Sequence, residues 1–221
     1  MRKIINQRNK YIYVVLVKAL TGLGKFARFF SEYEYTHIAV SLDESLDDFI
    51  TFSRKKHFEP FNSGFMHETL DCYAFGDNKS VKLKVFKVPV STDSYKEIKK
   101  YISSIEEDSE YIFNLISMAT MGVFHGVNIY KALNCMSFVS KVISLTNTVK
   151  MDKKYYKYNI KEIDNLLSDY FYKEELFNKT KIINKNYMDK VSIFKNIKGV
   201  LTINGKLIYR LIFKRNDNYE K

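Results

Sequence analysis

The stretch 80–90, read S-V-K-L-K-V-F-K-V-P-V, restricts the fold more than any other. Lysine alternates there with valine, leucine and phenylalanine. Such a period of two separates charged from apolar side chains only on a strand, because successive residues leave a pleated strand on opposite faces. The chain must therefore hold a sheet with one wet and one buried face at this strand. Residues 11–16 (Y-I-Y-V-V-L) add an apolar run that predicts a buried strand. Residues 35–42 (Y-T-H-I-A-V-S-L) and 49–54 (F-I-T-F-S-R) flank the polar turn D-E-S-L-D-D and predict a β-hairpin. With 46% hydrophobic and 15% aromatic residues over 221 positions, a large core can form around such a sheet.

Other segments carry helical spacing. Thr92 or Asp93 can cap a helix with Tyr95, Ile98, Tyr101, Ile102 and Ile105 on one face. Residues 111–121 are near-continuously apolar and predict a buried helix. Residues 21–31 and 160–172 predict amphipathic helices, the first basic and suited to covering a sheet. Residues 147–158 predict a loop or a short strand. In the tail, Asn204-Gly205 sits between two β-type runs over 199–214, the strongest short-range hairpin signal. The expectation is an α+β fold with a central antiparallel sheet. Residues 1–175 form its main domain, and residues 176–221 form a basic extension with a β-hairpin, packed on the same domain.

Residues 130–144, Y-K-A-L-N-C-M-S-F-V-S-K-V-I-S, carry the chemistry. Asn134 is a good N-cap type, and Phe138, Val139, Val142 and Ile143 follow at helical spacing. Cys135 is thus predicted in the first turn of a buried helix, where the dipole and unpaired amides favour negative charge. Taken alone, Cys135 reads first as a small apolar residue opening a core helix, since free cysteine is commonly buried. In the same way His37, on the face of Ala39 and Ser41, reads first as a satisfied core histidine. Thr51 comes near His37 if the hairpin register allows it. Residues 55–70 are irregular and hold His57, His67 and Glu68, whose spacing fits no standard zinc pattern, so no metal and no cofactor is expected.

Charge and cysteine usage bound the setting. Residues 1–30 hold seven basic and no acidic residues, residues 31–149 hold 12 basic and 16 acidic, and residues 150–221 hold 17 basic and nine acidic, for a net charge of +11. Basic flanks can meet an anionic membrane surface. No zinc-finger, RNP or helix-turn-helix signature points to nucleic acid. Two cysteines make no disulfide framework, no secretory signal is legible, and no apolar run approaches the roughly 20 residues of a membrane span. A reducing, cytoplasmic setting is the expectation.

The order of these pieces resembles a known family. The sequence runs from Y-I-Y-V-V-L through Y-T-H-I-A-V-S-L-D, F-I-T-F-S-R-K, G-F-M-H-E and Y-I-F-N-L-I to N-C-M-S-F-V. It is similar to the circularly permuted branch of the NlpC-type papain-like cysteine hydrolases, which includes lecithin retinol acyltransferase-like proteins. In that branch the histidine strand precedes the cysteine helix, as here. The similarity covers roughly residues 11–167. It implies Cys135 as nucleophile, His37 as its base, and a third polar residue on the strand after the histidine strand. Thr51 occupies that place, a neutral hydroxyl where the family has a carboxylate, amide or second histidine, and Glu68 is the alternative. The implied function is a cysteine peptidase or amidase that cleaves an amide or ester through a thioester. An acyltransferase, a lipid-directed thioesterase or a non-catalytic binding module would fit the same scaffold. The implied partners are a peptide, amide or acylated lipid substrate.

Overall fold

A computed structural model describes residues 10–18, 33–59, 61–74, 80–178 and 185–214. The strands are β1 Lys10–Lys18, β2 His37–Ser41, β3 Phe49–Arg54, β4 Ser63–Glu68, β5 Ser80–Val90, β6 Ile112–Phe113, β7 Ala132–Leu133 and β8 Phe171–Asn178. The helices are α1 Thr92–Glu106, α2 Leu115–Phe124, α3 Cys135–Leu145, α4 Ile160–Leu166 and α5 Ile193–Phe213. Six strands make one sheet in the order β4-β3-β2-β1-β5-β8, and every neighbouring pair is antiparallel. The short β6 and β7 pair in parallel beside it. The chain is thus α+β with a central antiparallel sheet.

The sheet centres on β1 because both of its faces are buried. Ile12, Val14 and Leu16 join the main core with Ile38, Val40, Phe52 and the helices. Tyr13, Val15 and Val17 join a second cluster on the other face with Ala39, Phe49 and Tyr73. A strand covered on both sides has no reason to alternate, which explains the continuous apolar run. β5 departs from the one-sided expectation. It buries Val81, Leu83 and Val85 in the second cluster, then Phe86, Val88 and Val90 in the main core. Its pairing with β8 shifts register at that same point, between Val85 and Phe86.

Several local expectations are corrected. Ser91, not Thr92 or Asp93, caps α1 by accepting from the amide of Ser94. The helix expected over 111–121 starts later, because residues 112 and 113 pair with β7 and Asn114 caps the helix. Residues 147–158 hold a single 3-10 turn, at Tyr155–Lys157. The helix expected over 160–172 ends at Leu166, and Phe171 opens β8, which docks on β5. A boundary at residue 175 therefore cuts through the sixth strand of the sheet. The helix expected over 21–31 lies outside the described residues.

The expected tail hairpin is absent: α5 runs straight through Asn204 and Gly205. Ser192 caps it on the amide of Lys195, and Asn204 Nδ2 donates to the Val200 carbonyl at 3.0 Å, a contact along the helix. Tertiary anchors decide the outcome. Ile203 and Leu207 are buried on the body, and the buried Arg210 guanidinium donates to the carbonyls of Tyr130, Lys131 and Glu110. Glycine inside a helix costs about 1 kcal/mol against alanine, which such packing offsets.

Candidate active site

α3 places the cysteine. Asn134 Oδ1 accepts from the Ser137 amide at 2.8 Å, and Ser137 Oγ accepts from the Asn134 amide at 2.9 Å. This reciprocal cap fixes the first turn and leaves the amides of Cys135 and Met136 unused by it. One turn on, fully buried Phe138 packs among Phe52, Phe65 and Tyr101, at ring-centroid distances of 5.6, 6.0 and 6.2 Å. The helix thereby sits on β2 and β3 with Cys135 at its entrance, 7% exposed.

His37 is the first residue of β2. Its Nε2 lies 2.9 Å from Glu68 Oε2, and the Cys135 side chain is near enough to the ring to help raise its pKa. The structure therefore brings Cys135, His37 and Glu68 together from the cysteine helix, β2 and the end of β4. Burial alone would drive His37 toward its neutral form. The facing Glu68 charge and the contacts with both partners outweigh it and raise the imidazole pKa to about 10. Glu68 is almost wholly buried, which works against its charge, yet His37, Ser53 and Tyr73 hold its pKa below the ordinary carboxylate value.

Thr51 is hydrogen-bonded elsewhere. Its Oγ1 donates to the Ile38 carbonyl at 2.8 Å and is spent there. The reason is register. Val40 faces Ile50 across the β2–β3 pair, so Ser53, not Thr51, comes level with His37. Glu68 ends β4, one strand farther out, and its Oε2 reaches His37 Nε2. Sequence reasoning missed Tyr73. Its hydroxyl donates to Glu68 Oε2, its ring lies 5.6 Å from that of His37, and burial raises its pKa well above the usual phenol value. No sequence pattern flags it, because it follows a 3-10 turn after β4 and reaches the site only through the fold.

The remaining candidates lie apart. His67 Nδ1 faces Asp48 at 2.8 Å, on the opposite side of β4 from Glu68. Among the described residues no group of three His, Cys, Asp or Glu side chains could hold a metal. Cys72 is a buried free thiol whose pKa burial pushes up to about 11. A surface depression of about 460 Å³ is lined by Lys84, Asp164 and Glu174, and a second, of about 320 Å³, by Glu110 and Arg210; neither is lined by Cys135 or His37. Among the described residues no helix is long and apolar enough to cross a membrane. No protein-family model, no curated protein and no solved structure matches the chain.

Proposed function

We propose that this protein is a cysteine hydrolase of the permuted papain-like kind, acting on an amide or ester bond through a thioester on Cys135. One observation carries the reading: a cysteine at a helix N-terminus stands beside a histidine that a buried carboxylate holds. Nucleophile, base and orienting group stand in the order that acyl transfer requires. The histidine strand also precedes the cysteine helix in the chain, which supports the permuted arrangement.

His37, raised by Glu68, is an imidazolium at neutral pH and cannot take up another proton. In the proposed mechanism the Cys135 sulfur reacts as a thiolate beside that imidazolium. The sulfur attacks the carbonyl carbon, the C–N or C–O bond breaks, and His37 gives its proton to the departing amine or alcohol. Water, deprotonated by the now neutral imidazole, cleaves the thioester and restores the pair. The test is to incubate the full chain with p-nitrophenyl acetate and locate the acetyl group by peptide mass mapping. Acetylation on Cys135 ahead of Cys72 is expected. Equal labelling of both thiols, or none, would rule the mechanism out.

Asn134 adds a donor for the developing oxyanion. Its residue is fully buried, its Oδ1 is spent on the cap, and its Nδ2 has no partner among the described residues. Together with the Cys135 amide it would meet the negative oxygen of the tetrahedral intermediate. Serine caps helices as well as asparagine does but lacks the amide. Asn134→Ser is therefore expected to fold normally and to acetylate about 10²- to 10³-fold more slowly. An unchanged rate in the folded variant would remove Asn134 from the reaction.

A further inference from the structure

α5 has two apolar faces, and only one is covered. Ile203 and Leu207 pack on the body of the protein. At the 100° turn per residue of an α-helix, Ile193, Phe194, Ile197, Leu201, Ile208 and Ile212 fall within one arc of about 100° on another side. All six are exposed, Phe194 by 85%, Leu201 by 69% and Ile212 by 65%. α2, which packs against α5, ends in Val123 and Phe124, also exposed by 74% and 65%. Monomeric proteins seldom leave a contiguous apolar stripe of this kind in water.

The charges choose the occupant. Residues 190–214 contain six basic residues and no acidic one. Lys195 is paired with Glu59, Lys198 is exposed at the edge of the stripe, and Lys206 is exposed on the far side of the helix. A second copy docked through the stripe would bring two basic helices together with no carboxylate on either to meet them. An anionic surface complements them. The basic residues and the covered face also exclude a spanning role, leaving a helix that lies in the interface plane.

We propose that the outward face of α5 docks the protein on an anionic lipid surface, with the Ile193–Ile212 stripe in the headgroup region and Lys198 at its edge on the lipid charges. The proposal stands on α5 alone and does not depend on the chemistry at Cys135.

The experiment is co-sedimentation of the full chain with phosphatidylcholine vesicles, with and without phosphatidylserine. Binding is expected to the phosphatidylserine vesicles. One unit of charge near such a surface is worth roughly a fivefold change in partitioning, so Lys198→Glu, which reverses the charge at the edge of the stripe, should weaken binding by more than tenfold. Leu201→Glu/Ile208→Glu should abolish it. The altered side chains are exposed, so both variants should keep the wild-type melting temperature. Absence of binding by the wild-type chain, or binding that survives both changes, would overturn the proposal. So would a wild-type dimer in solution that Leu201→Glu/Ile208→Glu turns into a monomer without vesicle binding; the stripe would then belong to a second copy.

Discussion

Replacing His37 by alanine is expected to slow acetylation of Cys135 by about 10²- to 10⁴-fold, the usual contribution of a positioned acid–base group. The imidazole balances the charge of the attacking sulfur, and because p-nitrophenolate leaves without a proton the rate reads that role alone. The burst of p-nitrophenolate reports the rate, and the site of the adduct is checked by mass. His37→Ala also leaves Glu68 buried with only Tyr73 and Ser53 as donors, and an unpaired buried charge destabilises a fold strongly. The double variant His37→Ala/Glu68→Gln removes that charge and reports the same loss of rate where the single one fails to fold. A folded variant that acetylates at the wild-type rate would show that the imidazole beside Cys135 has no catalytic role.

The second large effect concerns stability. Glu68→Gln keeps the shape and an acceptor for Tyr73 but removes the charge facing His37. A loss of about 3 kcal/mol in unfolding free energy is expected at pH 7. Its pH dependence separates charge from packing. His37 has a folded pKa above the unfolded value of about 6.5, so its share of stability is full below that value and fades as pH rises through about 10. Glu68 has a lowered folded pKa, so its share is present above the ordinary carboxylate value and is lost on acidification. The two overlap around neutrality. Wild type and Glu68→Gln should therefore differ most near pH 7 and converge toward both ends. Denaturant titrations across this range decide the matter, and a pH-independent deficit would assign Glu68 a packing role instead.

The sequence carried the periodic elements well. β1, the β2–β3 hairpin, β5 and the cysteine helix were legible because apolar spacing alone sets them, and Phe138, Val139, Val142 and Ile143 are all buried as that spacing demands. Cys135 and His37 were legible as a pair only through the family resemblance. The third residue was not decided, because hairpin register depends on the turn. In residues 43–48 the turn buries Leu46 in a left-handed conformation with φ 56°, which no local rule for D-E-S-L-D-D foretells. Thr51 then spends its hydroxyl on the backbone, and Glu68 arrives from β4.

The tail failed for a related reason. Asn-Gly favours a tight turn locally, whereas Ile203, Leu207 and Arg210 recur every three or four residues and dock as a helix. Tertiary burial outweighed the dipeptide. Likewise Phe171 to Asn178 became a strand because β5 offered an open edge, and strand formation depends on neighbours more than on composition.

Arg210 links the end of the helix to the beginning of the site. Its guanidinium reaches back 80 residues to Tyr130 and 100 residues to Glu110. Those carbonyls bracket the short parallel strands that lead into Asn134 and its cap. Contacts so distant in the chain form late, since a long loop must close before they gain anything, and folds rich in them mature in milliseconds to seconds rather than microseconds. The last clasp to fasten is thus the one that steadies the approach to the sulfur.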